Sequence, residues 1–202
     1  MIKVVAFDYG GVIKINERNL SSDICDYFKI NKEDWKREYF LVNHLTNIKN
    51  ISFSDLIILV VSKFDNSQET KKYILDLLES NKNKWHLNNE IIDIIKNLKK
   101  RKYKIALLSN NSTDLRQELK KNEILNLFDE VIISAEVGFQ KPQPEIFDFL
   151  FKKLEVNSNE VLFIDDTPKS LENADKIGYT PVLFKNNESL KSELSILLGV
   201  NI

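Results

Sequence analysis

Four short segments of this chain bring together side chains that can do chemistry. The first, Ala6-Phe7-Asp8-Tyr9-Gly10-Gly11-Val12-Ile13, places a carboxylate directly after an apolar run and before paired glycines. Those glycines allow a sharp turn and let the main chain come close to whatever Asp8 faces. The second, Ile105-Ala106-Leu107-Leu108-Ser109-Asn110-Asn111, ends in a hydroxyl and two amides suited to phosphate oxygens. In the third, Gly138-Phe139-Gln140-Lys141-Pro142-Gln143-Pro144-Glu145, Pro142 keeps Lys141 extended and Pro144 opens the next helix. The fourth, Phe163-Ile164-Asp165-Asp166-Thr167-Pro168-Lys169-Ser170, carries two adjacent carboxylates that repel each other unless a cation joins them. Taken singly, each of these residues is at home in an ordinary turn, cap or surface. Their shared position just after an apolar run is the signal.

Elements of two periods must position these groups. Apolar runs at 2–7, 103–108, 130–133, 161–164 and 180–183 have strand length, and helix-sized amphipathic segments at 88–100, 113–121, 144–154 and 170–177 lie between them. Continuous rather than alternating apolar strands imply burial on both faces, hence a parallel sheet covered by helices. Right-handed crossovers then gather the strand ends on one edge, where open α/β sheets bind ligands. Residues 19–84 break the alternation, with helical periodicity at 20–28, 35–45, 53–64 and 70–78 and no convincing strand. Ser52 or Ser54 is suited to cap the third of these helices. The expected architecture is a three-layer, Rossmann-like α/β core over 1–15 and 86–202, with an inserted α-helical cap over 16–85.

Composition bounds the function. At 202 residues the chain is one domain, or one domain with a large insertion. Lys and Arg number 29 against 30 Asp and Glu, a net charge of −1, which excludes a strongly basic nucleic-acid footprint. The single cysteine, Cys25, cannot form an internal disulfide or a cysteine-based metal site, and fits a reducing compartment. The N-terminal apolar run stops at Asp8, and the run at 56–61 is too short to span a bilayer. A cytoplasmic protein that engages neither membrane nor nucleic acid is the expectation.

In this order, each at a strand end, the four segments resemble the haloacid dehalogenase-like (HAD) hydrolase superfamily. The resemblance covers essentially the whole chain. It implies that Asp8 is a nucleophile that forms an aspartyl phosphate. It also implies Mg²⁺ bound by the carboxylates of Asp8 and Asp166 and the main-chain carbonyl of Gly10, with Asp165 supporting the metal site. Ser109 and Asn110 are implied to hold the phosphoryl group, Lys141 to pair with Asp8 and the phosphate, and the amides of Tyr9 and Gly10 to donate to the same oxygens. Charge agrees: three carboxylates at one edge would repel a phosphate dianion, Lys141 alone cannot offset them, and a hard divalent cation can.

One position departs from the pattern. Most phosphatases of the superfamily carry a second Asp two residues after the nucleophile, which protonates the leaving group; here that position is Gly10. A positioned general acid is worth roughly 10²–10⁴-fold. The leading expectation is a Mg²⁺-dependent phosphatase for a small phosphorylated metabolite, a sugar phosphate among the candidates, whose leaving group needs little protonation. The first alternative is a non-catalytic module that binds a phospho-ligand or a protein partner. The second is a 2-haloacid dehalogenase, against which the intact Asp165–Asp166 pair argues and for which Arg37 is a candidate carboxylate binder.

Several other residues are weighed. His44 and Glu17 are candidate replacement acids, and His86 is read as structural. Tyr27, Phe28, Trp35, Tyr39, Phe40 and Phe53 are expected to fill the cap's interior. Trp85 is expected near the cap–core junction, and hinges near 14–16 and 86–88. Ser170 stands where relatives often have Asn or Asp, which leaves the support of Lys141 open.

Overall fold

The computed structural model describes residues 1–16, 20–49, 51–81 and 84–201; Glu17 lies outside them. Its central sheet is built from β1 (Val4–Phe7), β4 (Lys104–Ser109), β5 (Glu130–Ile133), β6 (Val161–Asp165) and β7 (Thr180–Leu183). A separate ribbon pairs β2 (Lys14–Asn16) with β3 (Trp85–Leu87). The helices are α1 (Leu20–Phe28), α2 (Lys32–Val42), α3 (His44–Asn47), α4 (Phe53–Val61), α5 (Gln68–Asn81) and α6 (Asn89–Lys100). They continue with α7 (Asp114–Lys121), α8 (Ser134–Val137), α9 (Pro144–Leu154), α10 (Pro168–Leu171), α11 (Ala174–Ile177) and α12 (Asn187–Leu198).

The sheet runs in the order β5-β4-β1-β6-β7 with all four pairings parallel. Helices cover both faces because successive strand residues are apolar. Val5 and Phe7 face α6, α7 and α12 through Ile91, Ile95, Leu98, Leu119 and Leu194. Val4 and Ala6 face α9 through Ile146, Phe147 and Leu150, with Phe163 and Tyr179 in the same layer. Burying each such side chain contributes about 1.5–3 kcal/mol, which makes this double-sided packing the main source of stability. This is the three-layer Rossmann-like α/β architecture expected.

Register decides what meets at the edge. Phe7 stands opposite both Leu107 and Ile164, so Asp8 follows β1 between the ends of β4 and β6. Ser109 ends β4 and Asp165 ends β6.

The helices between β2 and β3 pack around their own cluster of Ile24, Trp35, Ile57, Val60, Val61 and Ile74. Ser52 caps α4, its Oγ accepting from the Asp55 amide at 3.1 Å. The expected aromatic filling is corrected here. Trp35 is buried, with Phe28 and Tyr39 against the same cluster, whereas Tyr27, Phe40 and Phe53 are exposed. Consecutive residues on a helix point about 100° apart, so Tyr39 turned inward sends Phe40 outward. Tyr27 instead stacks on Tyr73 at a centroid distance of 3.6 Å.

Two further helices differ from expectation. The segment 35–45 divides at Asn43 into α2 and α3, and α2 begins earlier because the side chain of Asn31 caps it, accepting from the Glu33 amide. The segment 170–177 divides into α10 and α11, freeing Asn173 between them to donate to the Pro142 carbonyl at 3.1 Å. Of the segments expected as hinges, 14–16 forms β2 and 86–87 lies in β3, with Ile15 paired to His86 and Asn88 following as the N-cap of α6. Among the described residues no helix is long and apolar enough to cross a membrane.

Candidate active site

Asp8 leaves β1 with its amide donating to the Ile164 carbonyl at 2.8 Å, which fixes it at the sheet edge. The Tyr9 carbonyl then accepts from the amides of Ile13 and Lys14, closing a tight turn in which Gly11 has φ +77°. A β-carbon at Gly11 would lie 2.2 Å from an Asp166 carboxylate oxygen; one at Gly10 would meet nothing within 4 Å. The first glycine faces open cleft, and the second is required by both its backbone and its neighbour. The Tyr9 side chain points into the layer beneath, its hydroxyl donating to Glu118 at 2.8 Å, so only its main chain is available to the cleft.

Lys141 joins the segments. Its ammonium lies 2.9 Å from Asp8 Oδ1 and 2.5 Å from Asp165 Oδ2, with 2% of the lysine side chain exposed. The loop carrying it is tied from two sides. Asn110 accepts from the Lys141 amide at 2.8 Å and donates to its carbonyl at 3.1 Å, and Asn173 holds Pro142. The Asn110 side chain is thus committed to the loop, which leaves its main chain to face a ligand. Asn173, three residues beyond Ser170, supports the loop from the far side.

Asp165 is fully buried, and its other oxygen accepts from the Thr167 amide at 2.8 Å. Asp166 is open to solvent and accepts from the Thr167 hydroxyl at 3.2 Å. The carboxylates of Asp8, Asp165 and Asp166 offer oxygens within 4.8 Å of one another. Burial pushes Asp8 up to about 6, Lys141 opposing and Asp165 adding to the rise. Asp166 is raised as well, by desolvation in the cleft and then by Asp165. Burial pulls the Lys141 ammonium down, yet Asp8 and Asp165 together hold it above the ordinary lysine value. Three crowded carboxylates with one ammonium leave net negative charge. An all-oxygen set of this kind suits a hard divalent cation such as Mg²⁺.

These groups line a cleft of about 420 Å³. Asp8, Gly10, Ser109, Asn110, Lys141 and Asp166 converge there, as the sequence leads one to expect. The opposite wall comes from α2 and α3 through Tyr39, Phe40, Asn43 and Asn47, and Asn47 donates to Gln140 across the gap at 2.9 Å. Neither these wall residues nor Lys169 stands out in the sequence, because nothing local marks which helical face looks at the sheet. Thr167 was legible in principle, since a residue two after an Asp commonly donates to its carboxylate.

Arg37 does not reach the cleft. It lies exposed on α2 and pairs with Asp34 at 2.6 Å and Glu38 at 3.2 Å. His44 is half-buried on α3 and is not among the residues lining this cleft; His86 is exposed in the ribbon. Trp85 lies in the same ribbon beneath the Lys14 ammonium, 5.2 Å from its ring centroid.

Comparison with known proteins agrees with this arrangement. A D-ribitol-5-phosphate phosphatase of Bacteroides thetaiotaomicron is 28% identical over 98% of this chain and the whole of its own. The bifunctional epoxide hydrolase 2 of Mus musculus is 32% identical over 56% of this chain, a match spanning only 21% of that longer protein. A HAD family enzyme of Bacteroides thetaiotaomicron, crystallised with magnesium and inorganic phosphate, superposes with a TM-score of 0.67. The superposition covers 92% of this chain and 95% of that one at 21% identity, a likeness of fold. A family profile described as haloacid dehalogenase-like hydrolase matches residues 7–184. The chain therefore belongs to the haloacid dehalogenase-like hydrolases.

Proposed function

We propose that the protein is a Mg²⁺-dependent phosphatase that hydrolyses a small phosphorylated metabolite, a sugar phosphate among the candidates, through an aspartyl phosphate on Asp8. One observation carries this reading: Asp8 shares an ammonium with Asp165 while lying within reach of Asp166 at the sheet edge. A cation held by Asp8, Asp166 and the Gly10 carbonyl, with Asp165 behind them, would neutralise charge on the phosphoryl oxygens. The phosphatase among the relatives, and the neighbour that binds magnesium and phosphate, support the same chemistry.

In this reading an Asp8 carboxylate oxygen attacks phosphorus in line with the departing oxygen. Lys141 holds that carboxylate in place and offers its charge to a phosphoryl oxygen. The Ser109 hydroxyl and the main-chain amides of Tyr9, Gly10 and Asn110 donate to the others. Water then hydrolyses the aspartyl phosphate. The helices of 16–85 act as a cap that excludes bulk water during transfer. Gly10 supplies no proton, so leaving groups that depart as stable anions are favoured.

The same glycine favours a second reading, a phospho-ligand binding module without turnover. Phosphate release from a panel of phosphate esters and anhydrides, with and without Mg²⁺, separates the two. Mg²⁺-dependent release supports the phosphatase. Ligand binding without release, from every member of the panel, supports the module.

A further inference from the structure

With no carboxylic acid at position 10, the departing oxygen must find another partner in the cleft. Among the described residues lining it, the titratable side chains are Asp8, Tyr39, Lys141, Asp166 and Lys169. Asp8 and Asp166 form the floor, Lys141 is held by two carboxylates, and Tyr39 packs against the interior of the helical insertion. Lys169 is different. It projects from the first turn of α10, three residues beyond Asp166, and is exposed to solvent. Its ammonium lies 5.6 Å from the ring centroid of Phe40 on the facing helix α2. No ion pair among the described residues includes it.

Direction supplies the second half of the argument. In-line displacement requires the leaving oxygen to point away from Asp8. Phe40 of α2 and Lys169 line the same cleft as Asp8, and the ring and the ammonium meet there, on the side where the proposal places the leaving oxygen. The ring's electron-rich face favours a cation there without neutralising it, which leaves the N–H groups and the charge for a ligand.

We propose that Lys169 stabilises the departing oxygen as negative charge develops on it, and that it thereby sets the substrate class: phosphate carried on an acidic oxygen, whether carboxyl, phenol or anomeric hydroxyl. The assignment rests on the phosphatase reading above. The Asp8 oxygen forms the new bond to phosphorus and the bond from phosphorus to the leaving oxygen breaks. The electron pair stays on that oxygen, which leaves as an anion beside the ammonium and takes its proton from water afterwards. Lys169 keeps its own proton throughout. Water later supplies the oxygen that frees phosphate from Asp8.

The test is leaving-group dependence with Mg²⁺ present, using aryl phosphates graded from dinitrophenyl to phenyl phosphate, for the native protein, Lys169→Gln and Lys169→Arg. Lys169→Gln is expected to lose roughly tenfold to hundredfold in kcat on phenyl phosphate and far less on dinitrophenyl phosphate. Lys169→Arg should retain most of the native profile. Acetyl phosphate, phenyl phosphate and glucose 1-phosphate then tell which acidic oxygen is preferred, and glucose 6-phosphate should be a poor substrate. An unchanged rate in Lys169→Gln, an equal loss across the series, or ready turnover of glucose 6-phosphate would overturn the assignment to Lys169 while leaving the phosphatase standing. No Mg²⁺-dependent release by the native protein from any probe would overturn both.

Discussion

Asp166 lies so close to Gly11 that a β-carbon on the glycine would fall 2.2 Å from a carboxylate oxygen. Gly11→Ala must therefore displace Asp166 or distort the turn, and at φ +77° it also strains the backbone, at a cost of about 1–2 kcal/mol. The expected result is a lowered melting temperature together with a Mg²⁺ affinity weakened by about tenfold or more. Calorimetric titration of Mg²⁺ into both proteins checks it; unchanged affinity would show that Asp166 plays no part in cation binding.

Gly10 tolerates what Gly11 does not, because nothing lies within 4 Å of the place its β-carbon would take. Gly10→Asp should fold normally and raise turnover on alkyl phosphates by about 10²-fold or more, with little change on nitrophenyl phosphate. Steady-state rates on both substrates decide the matter. No gain on the alkyl ester would mean that a proton donor already serves the leaving group.

Asp8→Asn removes the proposed nucleophile but keeps its size and the hydrogen bond to Lys141. Phosphate release should fall to background while circular dichroism and the unfolding transition stay close to native. Persistent release would assign the attack to another group.

Lys141→Ala leaves Asp8 and Asp165 buried without their shared cation, and breaking such a buried pair costs about 3–5 kcal/mol. Excess Mg²⁺ should restore part of that loss, because it offers the same carboxylates another cation. Chemical denaturation with and without the ion measures both effects, and a variant indifferent to Mg²⁺ would count against a cation at this edge.

The pH dependence follows from Asp8. Its folded value of about 6 lies above the ordinary carboxylate value of 3.8, so the folded chain holds this proton more tightly than the unfolded one. For the metal-free protein, stability attributable to Asp8 therefore falls as pH rises from about 4 through 6. Cation binding needs the ionised form, so affinity should climb up to tenfold per pH unit below about 6 and level off above 7. Mg²⁺ should accordingly raise the melting temperature more at pH 7.5 than at pH 5. An equal shift at both would separate the cation from Asp8.

Much of this site was readable from the residues alone, and the reason is local. Strands 130–133 and 180–183 and the helix 144–154 begin and end where their apolar runs and Pro144 indicate. Asp8, Ser109 and Asp165 sit directly at the ends of such runs, with Lys141 on the loop beyond α8 that follows β5, and parallel pairing brings those ends together. What escaped depends on tertiary context, in most cases on partners distant in sequence. Asn173 breaks a helix because of Pro142, Phe40 turns outward because Tyr39 turns in, and β2 exists because β3 returns beside it. Pro142 and Asn173, like β2 and β3, are too far apart for any window of ten residues to contain both, and Tyr39 and Phe40, though adjacent, carry no mark of which faces inward.

That last pairing limits how the helical insertion can move. Both passages of the chain out of the α/β body run as one laddered strip, Ile15 beside His86, with the root of the strip pinned where Lys14 meets Glu118. Two separate tethers would let the bundle slide and twist. A laced pair bends like a strap across its flat face and resists sideways shear. Any movement of the bundle against the α/β body is thereby tied to the bending of this one strip.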